Sequence, residues 1–265
     1  KHQVTVIVTD HKKAPQQGKN VTVKGDLGQS AAGKTDKNGE LTVPEVEQTE
    51  RHGVYIVGYT DGTFGPSRSM TRSEAAAIFA RLLAEKNGDT ISTAANTKFA
   101  DIPAHAWYSG YVKYLSNNGI TYGKSKTIFA PNDAITRAEF TTMAVRFFDV
   151  YGDGDAEIME QFSGFSDVSS GYWAAEYIKY AALHGWINGY GDGSFHAERE
   201  INRAEVVTIV NRLLGREADE DYIADNLRKL NTFPDVSRKH WAYYAVMEAA
   251  NAHTAVLGES ESWSK

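Results

Sequence analysis

A chain of 265 residues, 42% hydrophobic and 23% charged, is long enough for one large or two small domains and too apolar for disorder. Its formal net charge of −6 argues against nucleic acid as the main partner, because phosphate binding needs a basic face. The lack of cysteine excludes disulfides, cysteine nucleophiles and thiolate metal sites, and no apolar run approaches the roughly 20 residues of a membrane helix.

The chain opens KHQVTV, with no initiator Met and no signal peptide, and reads as a fragment or a mature product. In the first fifty residues, VTVIVTD (4–10), NVTVKGD (20–26) and GELTVPEV (39–46) alternate apolar and polar positions with β-branched residues. That is the strand pattern, and TDKNGE (35–40) supplies an Asn-Gly turn. Residues 1–50 are therefore expected to form a small antiparallel β module, too thin to be stable alone. The segment resembles the Ig-like or carboxypeptidase-regulatory-like modules of bacterial surface proteins.

From about residue 54 the chain repeats itself. One kind of unit is an aromatic-led helix after F-x-D-[IV]: FADIPAHAWYSGYVKYLSNNG (99–119), FSDVSSGYWAAEYIKYAALHG (165–185) and FPDVSRKHWAYYAVMEAANAH (233–253). Trp107, Trp173 and Trp241 take equivalent places in it. The other kind is a loop followed by a helix, over 58–83, 121–148 and 189–214. Its apolar residues recur at helical spacing: Ala75, Ile78, Phe79, Leu82; Phe140, Met143, Ala144, Phe147; Val206, Ile209, Val210, Leu213. Three equivalent stripes predict a central three-helix bundle. The first repeat lacks its leading half and the last unit its trailing half. The aromatic helix at 238–251 is thus expected to close on the loop at 54–70. ADEDYIADNLRKL (218–230) reads as a connector helix.

Each loop-and-helix unit carries MTRSEA (70–75), ITRAEF (135–140) or INRAEV (201–206). Thr71/Glu74, Thr136/Glu139 and Asn202/Glu205 fit a capping box. Capping leaves Arg72, Arg137 and Arg203 unexplained, since a cation at the positive end of the helix dipole is unfavourable. One reading is a two-part anion site, backbone N–H groups plus a bidentate guanidinium. The other is a salt bridge to a local acid such as Asp101, Asp167 or Asp235. In the loops, Gly58, Tyr59, Asp61, Gly62 and Phe64 match Gly189, Tyr190, Asp192, Gly193 and Phe195. Asp-Gly makes a tight turn, Phe reads as a buried plug, and Tyr59 and Tyr190 are candidates for sugar contact. The second loop, TYGKSKTIF, loses Asp-Gly and gains Lys124 and Lys126, and the third has Ala197 where the others have Pro66 and Pro131. Trp107, Trp173 and Trp241 read either as core wedges or as indole edges facing a groove.

These recurring motifs (the F-x-D-V start, the W-A helix, the G-Y-x-D-G-x-F loop, the T-R-A-E helix) resemble S-layer homology repeats, over about 54–255. The resemblance implies a mainly α fold: a pseudo-threefold unit of three repeats with a central three-helix bundle and three prongs. It assigns 51–258 to the repeats (about 54–90 plus 233–255, 99–150 and 165–216) and 259–265 to a tail. It further implies a secreted bacterial surface protein held without a covalent bond to anionic secondary cell-wall polysaccharide, often pyruvylated. Arg72, Arg137, Arg203, Gly58, Tyr59, Gly189, Tyr190, Trp107, Trp173 and Trp241 are the expected glycan-binding residues, and no cofactor is expected. Replacing any of the three arginines by alanine is expected to weaken wall binding and leave the fold intact. Two rival readings are a structural or self-assembling module, with the arginines closing internal salt bridges, and a polysaccharide-processing enzyme.

Other signals point to little chemistry. YGDGDAEIME (151–160) sets Asp153, Asp155 and Glu157 at alternate positions but lacks the ligand set of a calcium loop, and reads as an acidic linker. The eight histidines form no H-x-x-x-H or H-E-x-x-H pair, and no two carboxylates are marked as general acid and base.

Overall fold

The computed structural model describes residues 4–10, 12–24, 30–43, 48–152, 162–257 and 261–264. The acidic stretch with Asp153, Asp155 and Glu157 lies outside them. The chain divides into two units, one of residues 1–51 with 253–265 and one of residues 52–252.

The smaller unit is antiparallel β structure. Strand β1 (Val4–Ile7) pairs with β4 (Glu40–Val43), and β2 (Asn20–Lys24) pairs with β3 (Ser30–Lys34). β5 (Gln48–His52), β6 (His253–Leu257) and β7 (Ser262–Ser264) form a three-stranded sheet in that order. The expected Asn-Gly turn lies between β3 and β4. Asp36 Oδ1 accepts from the N–H groups of Asn38 and Glu40 at 2.7 and 2.9 Å, and Gly39 takes the left-handed φ of 73° the turn requires. β3 (SAAGK) and β7 (SWS) carry no β-branched residues. Main-chain pairing with a neighbour makes them strands, so composition gives no sign of them. Residues 262–264, expected in a tail, are one of these strands.

The larger unit is helical. Helices α1 (Arg72–Asn87), α3 (Arg137–Tyr151) and α5 (Arg203–Leu214) each begin with the complete capping box that the spacing predicts. Their expected stripes are buried. Phe79 of α1 meets Phe140 and Phe147 of α3 at 5.3 and 4.9 Å, and α3 packs on α5. α1 also buries Ala76, Ala77, Ala80 and Leu83, so it is covered on more than one side. The aromatic units supply α2 (Ser109–Asn117), α4 (Ala175–Leu183) and α7 (Tyr243–Ala250), which pack against α1, α3 and α5 respectively. The connector is α6 (Glu220–Asn226) followed by a 3-10 turn, Leu227–Lys229. No helix among the described residues is long and apolar enough to cross a membrane.

Each F-x-D aspartate joins its aromatic unit to a loop. Asp101 accepts from the N–H groups of Phe129 and Ala130 at 2.9 and 2.7 Å, and Asp167 from those of Phe195 and His196 at 2.7 Å each. Asp235 accepts from Phe64 and Gly65 at 2.8 and 2.7 Å. The aromatic rings follow: Phe99 lies 5.5 Å from Phe129, Phe165 5.2 Å from Phe195 and Phe233 5.3 Å from Phe64. In the third pair the end of the unit closes on its beginning, and Tyr55 N adds a bond to Ala249 O at 3.3 Å.

The helix starts are linked as well. The amides of Arg72 and Ser73 donate to Asp133 O and Pro131 O, both at 3.0 Å. Those of Arg137 and Ala138 donate to Arg199 O and Ala197 O at 2.8 and 2.9 Å. Those of Arg203 and Ala204 donate to Arg68 O and Pro66 O at 3.1 and 3.0 Å. Each helix thus begins on the loop of another repeat: first on second, second on third, third on first. Ala197 in place of proline changes nothing here, because the carbonyl is the group in use.

Candidate functional site

These bonds revise the two-part anion site. The first two N–H groups of each helix are spent on loop carbonyls, and the third donates to the cap side chain. No free backbone N–H group is left at any of the three starts to receive an external anion, so the guanidinium alone remains to do so.

Arg72, Arg137 and Arg203 are only 4%, 5% and 4% exposed. Their Nε groups donate to the carbonyls of Phe129, Phe195 and Phe64 at 2.8, 2.9 and 2.8 Å. Each guanidinium also lies over the ring of that phenylalanine, at 5.0, 4.5 and 4.7 Å. The charge partners are not the F-x-D aspartates, which are occupied with backbone. They are the capping glutamates: Arg72 pairs with Glu139 and Arg137 with Glu205, both at 3.1 Å, while the charge of Glu74 favours the cationic form of Arg203. Burial pulls Arg137 and Arg203 below the ordinary guanidinium range, opposed chiefly by Tyr190 and Glu205 for the first and by Tyr59 and Glu74 for the second. So many internal bonds give the arginines a structural part, and replacement by alanine is expected to cost stability as well as any binding.

Two open clefts adjoin these groups. One, of about 260 Å³, is lined by Arg137, Gly189, Tyr190, Glu205, Arg212 and Trp241 among others. The second, of about 210 Å³, is lined by Arg203, Gly58, Tyr59, Glu74, Arg81 and Trp107 among others. The two sets match position by position. Each cleft takes a loop and helix from one repeat, an arginine from the repeat before and a tryptophan from the aromatic unit after. Of the expected residues, the structure brings eight together in these two clefts. Arg72 and Trp173 belong to the second repeat's counterpart, where Arg72 meets Glu139.

The core-wedge reading of the tryptophans is corrected. Trp107, Trp173 and Trp241 are 52%, 56% and 64% exposed. Each stands just before its helix begins, where the backbone turns its side chain off the packed face. The phenylalanine plugs, by contrast, are fully buried. Gly58 and Gly189 line the clefts but also serve packing. A Cβ on Gly189 would come 2.5 Å from Phe165 Cε1, and one on Gly58 equally close to Phe233 Cε1. Asp61 and Asp192 serve their own turns, accepting from the hydroxyl and the N–H of Thr63 and Ser194. Those hydrogen bonds, the hydroxyl's first, hold both carboxyls below the usual range.

Sequence reasoning missed Arg81 and Arg212, and it read Glu74 and Glu205 as caps only. The signal for the arginines was present: Arg81, Arg146 and Arg212 each follow the helix-start arginine by nine residues. Nine residues is two and a half turns, so the two arginines do not share a helix face, and the cleft's first arginine comes from a different helix.

A sequence model of the S-layer homology domain matches residues 42–76, 98–141 and 164–207, which contain all three capped arginines. The chain is 34% identical over 79% of its length to Cell surface glycoprotein 1 of Acetivibrio thermocellus, covering 9% of that protein. It is 30% identical over 87% of its length to the Cellulosome-anchoring protein of the same organism, covering 49% of it. It is 32% identical over 60% of its length to the Surface-layer 125 kDa protein of Lysinibacillus sphaericus, covering 13% of it. The chain thus spans less than half the length of each of these relatives. With the family model falling on every helix start, and cell-surface, anchoring and surface-layer proteins as relatives, the chain carries three S-layer homology repeats and is a protein of the bacterial cell surface.

Proposed function

We propose that the three repeats form a pseudo-threefold unit that holds a larger surface protein non-covalently to anionic secondary cell-wall polysaccharide, through grooves between repeats. The observation that carries this reading is the matched pair of clefts, each setting a buried arginine and a tyrosine opposite an exposed tryptophan. Aromatic faces suit the apolar faces of sugar rings, and a partly desolvated guanidinium suits a carboxylate. A pyruvate ketal on the sugar supplies such a carboxylate. Modest affinity at each groove suffices, since several grooves on one chain add avidity. No chemistry on the glycan is assigned. A glycosidase uses two carboxyl groups across the bond, whereas each cleft is lined by one glutamate engaged in its own helix cap.

The test is sedimentation of the chain with purified wall polysaccharide before and after removal of the ketal. Binding only to the ketal-bearing form is expected; equal binding to both would remove the carboxylate from the account. The pairing of Arg72 and Arg137 with internal glutamates favours the rival reading, a self-assembling module without glycan affinity. That reading requires the chain to associate with itself when no glycan is present.

A further inference from the structure

Counted from Phe64, Phe129 and Phe195, residues 59 and 68, 124 and 133, and 190 and 199 take equivalent places. In the first loop Arg68 lies over the Tyr59 ring at 4.0 Å. In the third, Arg199 lies over the Tyr190 ring at 5.4 Å and donates to its hydroxyl. The second loop has neither tyrosine nor arginine there. Lys124 Nζ instead pairs with Asp133 at 3.0 Å. The cation has crossed to the other position of the pair, and an acid replaces the arginine.

The exchange alters the wall of the groove in two ways. Tyr59 and Tyr190 each have two guanidinium groups within cation–π distance, because Arg203 stands 4.6 Å from the first ring and Arg137 5.1 Å from the second. These rings line the clefts and gather two cations at each, so the ring and its neighbours present a positively charged aromatic wall. A tyrosine–arginine pair adds one positive charge to the rim, which in the third groove Arg199 shares with Glu205, whereas Lys124 and Asp133 sum to zero and put no ring at that position; the second loop's own ring is Tyr122, two residues earlier, under Arg146 at 4.8 Å. From this we infer that the pair decides which grooves accept an acidic sugar: Tyr59–Arg68 and Tyr190–Arg199 make the first and third selective for a carboxylate-bearing ring, and Lys124–Asp133 leaves the second weaker for the same ligand by roughly tenfold, the scale of one rim charge and one aromatic face. The inference rests on the wall-glycan reading above and adds where on the chain, and how many times, the ligand binds.

Lys124 and Asp133 have side chains 41% and 57% exposed, so both can be replaced without touching the core. The experiment is calorimetric titration of the full chain with a methyl hexopyranoside carrying a 4,6-linked pyruvate ketal, its methyl ester serving as the uncharged control. Two tight equivalents of the acid and a third roughly tenfold weaker are expected for the wild type, three tight ones for the Lys124→Tyr/Asp133→Arg variant, and one tight with two weaker for the Tyr190→Lys/Arg199→Asp variant. Thermal unfolding of each variant checks that it is folded. Three equal sites in the wild type, or an unchanged count in both folded variants, overturns the inference and leaves anchoring standing. A wild type that binds neither compound overturns both.

Discussion

Glu205 divides its carboxylate between two repeats: Oε2 accepts from Asn202 N at 3.0 Å, closing the cap of its own helix, and Oε1 accepts from Arg137 at 3.1 Å, neutralising a cation at the start of another. Glu139 does the same for Thr136 and Arg72. An arginine at a helix start is unfavourable only if nothing answers it, and here the answer lies one repeat further on. The same glutamate limits how much positive charge each cleft offers a ligand.

Glu205→Gln separates these two tasks, because glutamine at this position still completes a capping box. The variant is expected to lose about 1–2 kcal/mol, since the buried Arg137, and with it the more exposed Arg199, loses a charged partner. For a unit of this size that lowers Tm by roughly 2–8 °C. Affinity for an acidic glycan should rise several-fold in the same protein. A Tm equal to wild type by scanning calorimetry would show that the charge of Glu205, which Arg137 and Arg199 share, carries no stability.

Arg203→Ala and Arg203→Lys differ in what they remove. Alanine leaves Phe64 O and Val57 O, which now accept at 2.8 and 2.6 Å, without a donor and is expected to cost about 2–4 kcal/mol. Lysine keeps the charge but offers no planar fork, so a smaller loss of stability and a clear loss of glycan binding are expected. Denaturant unfolding of both variants distinguishes them; equal stabilities would mean that the Nε bond contributes nothing.

Trp107→Ala and Trp241→Ala test the groove from its other wall. With more than half of each side chain exposed, unfolding free energies should stay within about 0.5 kcal/mol of wild type. Glycan binding should fall about tenfold, the scale of a lost aromatic stacking contact. A large fall in stability would restore the core-wedge role.

Acid should loosen the link between aromatic units and loops. Burial tends to raise the Asp167 carboxyl, but the hydrogen bonds from Phe195 and His196 outweigh it and hold the group below its ordinary value. A depressed carboxyl stabilises the fold fully above its unfolded pKa of about 4, and that stability is lost as pH falls through the lower folded value. Tm should therefore drop as pH falls below about 4, and Asp167→Asn should start lower and show a shallower drop. Parallel curves for the two proteins between pH 2 and 6 would remove Asp167 from the acid transition.

The parts legible in the sequence are those set by neighbours a few residues apart. Thr71 with Glu74, Thr136 with Glu139 and Asn202 with Glu205 announced three helix starts, and the apolar spacing within α1, α3 and α5 announced which faces are buried. Repetition extended this to the closing of the last aromatic unit on the first loop, though not to what the F-x-D aspartates hold. Asp101, Asp167 and Asp235 were candidates for the arginines and proved to hold backbone amides. Tryptophan misled because its size predicts burial, whereas its exposure is decided by where the chain turns before a helix.

By itself, then, the sequence determined where the helices begin, which of their faces seek cover, and that the units come in threes, because capping and amphipathic spacing act within one or two helical turns. Only the tertiary structure decided that Arg137 answers to Glu205 and shares a cleft with Trp241, and that the helix-start amides are already taken. Those pairings join groups 58 to 138 positions apart along the chain. No local rule constrains such distances; they follow from which loop each helix start comes to rest on.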